Sequence, residues 1–129
     1  MREWVDHTSE LELRVRAPSA EAAVAEATAA LGELLGEADG PDVARPLAVE
    51  AGDAAGLLAA WLEELVFLAE DEALIAHRAR GLVLAPAALR GEVLAARGRP
   101  SHLVKAVTYH RLALEPGEDG WRAAVVLDV

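Results

Sequence analysis

Alternation of apolar and polar residues is the strongest pattern near the start of the chain and throughout its second half. In ELELRVRA, residues 10–17, apolar side chains alternate with charged ones, which is the pattern of a half-buried strand. Four later segments have the same period of two: residues 73–86, 88–98, 101–116 and 121–129. They predict four further strands, with the last two joined through a hairpin connection in PGEDG, residues 116–120.

Two segments instead repeat their apolar residues at the spacing of an amphipathic helix. The first has Ser19 as a candidate N-cap and is predicted to end near Gly36. Its expected apolar stripe consists of Ala22, Ala25, Leu31, Leu34 and Leu35. The second helix follows a candidate cap at Asp53, and its broad apolar face consists of Leu57, Leu58, Trp61, Leu62, Leu65 and Leu68. Between the helices, PLAVEAGD, residues 46–53, predicts a short strand that leads into a turn.

The predicted order of elements is strand, helix, strand, helix and then several strands. This order is typical of an α+β fold in which two helices pack on a mainly antiparallel β-sheet. With 129 residues, 53% of them hydrophobic, the chain is expected to form one domain over residues 1–129 with a substantial core.

Several features predict a cytoplasmic protein outside the membrane. No apolar stretch approaches the ~20 residues of a membrane-spanning helix, and the first residues do not resemble a signal peptide. The sequence contains no cysteine, which excludes disulfides, thiolate zinc sites and cysteine nucleophiles and fits a reducing compartment.

The charge balance narrows the class of partner. The formal net charge is −10, and such a surface repels a phosphate backbone, so strong direct nucleic-acid binding is not expected. Of the 12 Lys and Arg residues, only Lys105 is a lysine. Chance explains this, or Lys105 stands where a guanidinium cannot replace an ammonium group. We hypothesise that Lys105 is accessible and close to an acidic site.

The sequence does not indicate an enzyme. It contains no glycine-rich phosphate loop, no His-Glu-x-x-His pair and no nucleophile elbow, and its four histidines are far apart. Side chains with oxygen donor atoms are instead concentrated in DHTSEL, residues 6–11, and acidic groups also lie in the ending VVLDV. If the last strand pairs with the first, Glu10, Asp128 and the α-carboxylate of Val129 would cluster and favour a hard cation or a basic partner. Alternatively, Glu10 and Asp128 are solvated strand ends that never meet.

Four segments together resemble the archease family. DHTSELELRVRA resembles the family's acidic-His-Thr-Ala-Asp box before an alternating strand, and LLAAWLEELVFLAEDEALI resembles its second helix. VKAVTYHRLAL, residues 104–114, is similar to the family's Val-Lys-Ala-(Val/Ile)-Thr-Tyr-His strand, and GWRAAVVLDV is similar to its ending in Asp and an aliphatic residue. The resemblance spans the whole chain and implies an archease-like fold.

The resemblance also implies a function. Archeases are accessory proteins of the RNA ligase that joins a 2′,3′-cyclic or 3′-phosphate end to a 5′-hydroxyl in tRNA splicing and RNA repair. They promote guanylylation and multiple turnover of that ligase without catalysing ligation. The expected partner is therefore a 3′-phosphate RNA ligase. The family's divalent-cation site maps onto Glu10, Asp128 and Val129, and the expected ion is Ca²⁺, with Mg²⁺ or Mn²⁺ as alternatives in the cell.

This chain departs from the family pattern at one ligand position. Residue 10 is glutamate where the family usually has aspartate, and Ser9 replaces the usual alanine. The charge is kept, but the side chain is one methylene longer, so the ligand distance and denticity are expected to differ.

The matched motifs contain further candidates for contact with a partner: Asp6, His7, Thr8, Lys105, Tyr109 and His110. Structural roles are open for them too, because Thr8 can bond its own backbone at a turn and Tyr109 can pack in the core. On a regular strand Lys105, Val107 and Tyr109 would share one face. Two other functions are also open, a small metal-dependent hydrolase that uses the same carboxylates and a general chaperone-like interaction module.

Overall fold

The computed structural model describes residues 1–101 and 104–129, which form two helices and seven strands. The strands are β1 (Arg2–His7), β2 (Glu10–Ala17), β3 (Val43–Glu50), β4 (Leu74–Ala85), β5 (Ala88–Arg97), β6 (Ala106–Gly117) and β7 (Gly120–Asp128), and the helices are α1 (Ala20–Leu35) and α2 (Ala54–Glu72). The strand pairs are antiparallel and form a four-stranded sheet of order β1-β2-β7-β6 and a three-stranded sheet of order β3-β5-β4. The predicted α+β class is confirmed, although the strands form two sheets rather than one.

Helix α1 has the predicted ends but a different buried face. The Ser19 hydroxyl accepts the Ala22 N–H at 3.0 Å, and Gly36 follows the last helical residue. Its buried side is formed by Ala20, Ala23, Val24, Ala27, Thr28, Ala30, Leu31, Gly32 and Leu35. The predicted members Ala22, Ala25 and Leu34 are only partly buried, because alanines on every side of this helix leave its rotation undetermined by the apolar pattern.

Helix α2 follows the sequence prediction closely. The Asp53 carboxylate accepts the Gly56 N–H at 2.7 Å, and all six predicted core residues are buried. At the centre, the Trp61 indole N–H donates to the Thr28 hydroxyl at 3.0 Å, and that hydroxyl donates to the Val24 carbonyl at 2.9 Å. The largest buried side chain thus joins the two helices with its polar atom satisfied.

The bounds of the strands differ from the prediction in several places. Strand β1 was not predicted, since REWVDH places Trp4 and Val5 next to each other and shows no clean alternation. Strand β3 begins at residue 43 rather than 46. Strand β6 begins at residue 106 rather than 101, and His102 and Leu103, which belong to the predicted strand, lie outside the described residues.

Strands β2 and β7 form the centre of the four-stranded sheet and fix which side chains share a face. Their register pairs Leu11 with Leu127 and Leu13 with Val125, and Leu13, Val125 and Leu127 belong to the core beneath the helices. Because side chains alternate along a strand, Glu10, Glu12 and Asp128 lie on the outer face of the sheet. Neither described helix is long and apolar enough to cross a membrane.

Candidate functional site

Glu10 and Asp128 lie directly opposite each other in the register of β2 and β7. One step further along, the Val129 N–H donates to the Ser9 carbonyl at 3.1 Å. Hydrogen-bonded and non-hydrogen-bonded pairs alternate along an antiparallel ladder, so Glu10 and Asp128 form a non-hydrogen-bonded pair, the type with the closer side chains. The strand pairing that a shared carboxylate site requires is therefore present.

The donor atoms at this end of the sheet have the chemistry of a hard-cation site. Ca²⁺ and Mg²⁺ take oxygen ligands, and Glu10 and Asp128 bring two carboxylates to one place. Within residues 1–101 and 104–129, no group of three or more His, Cys, Asp or Glu side chains is arranged to hold a metal ion. Val129, the residue that follows Asp128, is partly buried.

The turn between β1 and β2 lies at the same end of the sheet, beside Val129. Thr8 and Ser9 connect the two strands after the pair His7–Glu10, and both turn residues are exposed. Ser9 adopts φ 61°, in the left-handed region that non-glycine residues rarely occupy. Asp6, opposite Leu11 in β1, is exposed as well.

Glu12 is a functional candidate that the sequence analysis did not identify. It lies on the outer face of the sheet, yet its side chain is only 4% exposed. His7 Nε2 lies 3.1 Å from Glu12 Oε1, while Arg14 Nε and Arg111 Nη1 donate to the carboxylate, each at 3.1 Å. Glu12 thus joins the two matched motifs. Glu12 and Arg111 are separated by 99 positions in the sequence, so no local pattern indicates this contact.

These partners set the ionisation of Glu12. The hydrogen bond from Arg14 contributes most to lowering its pKa from the usual 4.5 to about 2, against the opposing effect of burial. Hydrogen bonds with His7 and Arg111 and the charge of Arg14 lower it further. The carboxylate therefore stays ionised well below the usual range of glutamate.

We expect Glu12 to make folding sensitive to acid. Because its folded pKa lies below the unfolded value, its ionised form stabilises the protein above about pH 4.5, and this contribution is lost as the pH falls towards about 2. It amounts to about 2 kcal/mol at neutral pH, after allowance for the half-exposed guanidinium groups. Urea unfolding at pH 7 and pH 3 should show that the free energy of unfolding falls more in the wild type than in Glu12→Gln.

Glu115 provides the matched control for this measurement. It pairs with Arg122 at 2.8 Å, but both side chains are about half exposed, so Glu115→Gln should follow the wild type at both pH values. If the free energy of unfolding falls equally with acid in the wild type and in Glu12→Gln, then Glu12 is not the source of the acid sensitivity.

The end of the predicted Thr-Tyr-His motif forms a bulge rather than a regular strand. Pairing of β6 with β7 shifts between Thr108 and Ala113, which lie opposite Val126 and Ala124. The four residues 109–112 therefore lie opposite one residue of β7. The predicted alternation ends here, and Tyr109, which a regular strand would place on the face of buried Val107, is 70% exposed.

The neighbours of Tyr109 also depart from strand geometry. The His110 N–H donates to the Thr108 hydroxyl at 3.3 Å, and Arg111 adopts φ 56°. Lys105 lies just before β6, is exposed, and its N–H donates to the Asp128 carbonyl at 2.8 Å. The solitary lysine thus lies at the same end of the sheet as Asp128.

Comparisons with known proteins give one consistent result. The model of the Archease protein family (MTH1598/TM1083) matches residues 3–129. Protein archease of Methanopyrus kandleri is 32% identical to this chain over 98% of both sequences. Protein archease of Methanosarcina barkeri is 28% identical over 98% of this chain and 94% of that protein.

A solved structure supports the fold independently. The solution structure of Methanobacterium thermoautotrophicum protein 1598 matches with a TM-score of 0.79, over 99% of this chain and 98% of that chain. At 20% sequence identity, this similarity concerns the fold alone.

Proposed function

This chain belongs to the archease family, and from that premise we propose that it is a non-catalytic accessory factor of a 3′-phosphate RNA ligase. In this role it promotes guanylylation and multiple turnover of the ligase in tRNA splicing or RNA repair. At the level of the family, the assignment supports an accessory or activator role in RNA processing. The client ligase and the cation site are the parts that we propose here.

The observation that carries this proposal is the direct pairing of Glu10 with Asp128 beside Val129. Two carboxylates on one face repel each other unless a cation or a basic group compensates them. We propose that Glu10, Asp128 and the Val129 carboxylate hold Ca²⁺, Mg²⁺ or Mn²⁺. A bound ion would supply positive charge that compensates these carboxylates and attracts anionic groups of a partner.

The charges of the surrounding surface favour binding to a protein over direct binding to RNA. The net charge of −10 opposes binding to a phosphate backbone. Lys105 is exposed and is joined to Asp128 through its backbone N–H, and we propose that its ammonium group contacts a carboxylate or phosphate of the partner. We propose that the exposed Asp6, Thr8, Tyr109 and His110, together with His7, belong to the same contact region.

A hydrolase that uses the same carboxylates is less well supported. Such an enzyme needs an acid or base beside the metal to activate water. His7 lies opposite Glu10 in the register, but its Nε2 is engaged by Glu12. A general chaperone-like module is favoured by no particular contact.

The proposal can be tested with the purified 3′-phosphate RNA ligase of the same host. The measured quantities are the transfer of labelled GMP from GTP to the ligase and the number of ligations per ligase molecule. We expect the wild type to raise both and Asp128→Asn to lower the stimulation several-fold. Asp119→Asn is the matched control, because Asp119 is an exposed acid in the β6–β7 turn, and it should behave as the wild type.

Four outcomes would overturn the proposal or part of it. A wild-type chain that does not stimulate the ligase contradicts the accessory role. Hydrolysis of phosphoesters by the chain alone supports the enzyme alternative, and suppression of aggregation of unrelated proteins supports the chaperone-like one. Equal stimulation by wild type and Asp128→Asn contradicts the site at the end of β7.

A further inference from the structure

The burial of Glu12 calls for a reason beyond stability. A single carboxylate on the outer face of a sheet is costly to remove from water, and burying a charge stabilises a fold only weakly even when it is paired. Here the carboxylate has three partners, of which two, His7 and Arg14, lie nearby in β1 and β2. The third, Arg111, comes from a bulge far away in the sequence. The long-range contact therefore fixes the bulge to the centre of the sheet.

The bulge itself is held in an unfavourable conformation. Arg111 has φ 56°, and non-glycine residues in this region are kept there only by their surroundings. Leu112, the next residue, packs against the hydrophobic core. The bulge is thus anchored at Arg111 and at Leu112, which leaves Tyr109 and His110 as its projecting part.

Tyr109 is the exposed aromatic side chain that this anchoring presents. Its 70% exposure is unusual for an aromatic residue that alternation would place on the core side of a strand. Exposed tyrosines that are fixed by a rigid backbone are typical anchors of protein interfaces, because they bury a large area at a low cost in side-chain entropy.

We propose that the bulge of residues 109–112 is a preformed docking element for a protein partner and that Glu12 is its positioning residue. Glu12 acts through Arg111, whose guanidinium it holds, so that Tyr109 keeps the orientation required for binding. This inference rests on the proposed function, because the partner is taken to be the ligase of that proposal.

The chemistry of the surface around Tyr109 defines the kind of partner site that would bind the bulge. The Tyr109 ring requires an apolar pocket with a hydrogen-bonding group for its hydroxyl. The outer face also carries Glu10 and Asp128, so the rim of that pocket should be basic. A second copy of this chain is disfavoured as the occupant, since two acidic surfaces of net charge −10 repel each other.

The experiment measures the concentration of this chain that gives half-maximal stimulation of the host ligase. Tyr109→Ala should raise it about tenfold, which corresponds to about 1.4 kcal/mol of binding free energy. Glu12→Gln should raise it several-fold, and Glu115→Gln should leave it unchanged. In the double variant, Glu12→Gln should add little to Tyr109→Ala, because both act on the same contact.

Two further measurements separate positioning from a general loss of structure. Amide hydrogen exchange of residues 109–112 should be faster in Glu12→Gln than in the wild type. Arg111→Gly removes the guanidinium and at the same time relieves the left-handed φ. This variant should therefore raise the half-maximal concentration while the melting temperature stays close to that of the wild type.

The outcomes distinguish this inference from the function on which it rests. If the wild type stimulates the ligase and Tyr109→Ala is indistinguishable from it, the docking element is wrong and the proposed function stands. If the increases in half-maximal concentration caused by Glu12→Gln and Tyr109→Ala multiply in the double variant, Glu12 does not act through Tyr109. If the wild type does not stimulate the ligase, both proposals fail, and concentration-dependent dimerisation lost in Tyr109→Ala would assign the bulge to self-association.

Discussion

A chain extended by a short tag of uncharged residues after Val129 is expected to stimulate the RNA ligase at least tenfold less than the untagged chain while keeping its fold. The α-carboxylate of Val129 becomes an amide in the extended chain, so an anionic donor is replaced by a neutral one. The Val129 N–H is fixed on the Ser9 carbonyl at 3.1 Å, so the tag would begin beside Glu10 and Asp128 and would also obstruct a partner.

Stability should hardly change in this variant. The tag moves the terminal negative charge away from Glu10 and Asp128, which relieves repulsion among carboxylates in the metal-free protein and offsets any loss of order at the end of β7. We therefore expect the melting temperatures of the tagged and untagged chains to agree within about 2 °C. Calcium binding followed by calorimetry should weaken in parallel with ligase stimulation.

The same tag at the amino terminus is the control. Met1 lies at the opposite end of β1 and β2, where its backbone pairs with Arg16, so a tag there should leave stimulation unchanged. Full stimulation by the C-terminally tagged chain would show that the Val129 carboxylate is not required. A large drop in its melting temperature would assign the chain end a structural role.

The parts of the fold that could be predicted from the sequence are those governed by local rules. The cap at Asp53 and the apolar face of α2 were predicted correctly, because leucines and a tryptophan at helical spacing leave one possible buried side. In α1 the cap at Ser19 was correct, but the buried face was not, since alanine is small enough for either side of a helix.

The features that escaped prediction all depend on contacts between distant segments. Strand β1 exists because it pairs along β2 from Arg2 to His7, and nothing in REWVDH alone indicates a strand. The division into two sheets is likewise a matter of pairing. Alternation predicted a regular strand through Tyr109, but residues 109–112 form a bulge, from which Arg111 contacts Glu12.

The candidate site was predictable only in part. The pairing of Glu10 with Asp128 follows from the antiparallel register of β2 and β7, and the family resemblance had pointed to these two residues. Glu12 looked like an ordinary exposed member of an alternating strand, because its pattern is the same as that of Glu10 and Arg14. Only the folded chain shows that Glu12 is buried, whereas Glu10 is partly buried and Arg14 is exposed.

Gly32→Ala is expected to be among the most destabilising small substitutions in this protein. Gly32 lies on the buried side of α1, and a methyl group there would overlap the carbonyl oxygen of Ala76 and lie 3.2 Å from the Cα of His77. Both atoms belong to the backbone of β4, so no side chain can move aside and the helix must shift away from the sheet.

Two opposing effects decide the sign of this change. Alanine is favoured over glycine inside a helix by about 1 kcal/mol, whereas overpacking of a core costs about 1–3 kcal/mol and occasionally more. A clash with backbone belongs at the upper end of that range, so we expect a net loss of about 2 kcal/mol in the free energy of unfolding. This corresponds to a fall of about 7 °C in the melting temperature.

Gly52→Ala is the matched control, because a methyl group at Gly52 meets no atom within 4 Å. Its free energy of unfolding should stay within about 0.5 kcal/mol of the wild type. Urea unfolding of the three proteins at pH 7 gives the comparison directly. A Gly32→Ala protein as stable as the wild type would mean that α1 does not need its close approach to β4. The packing that supports the sheet from the inner side would then have to tolerate a wider spacing than the contacts of Gly32 with Ala76 and His77 imply.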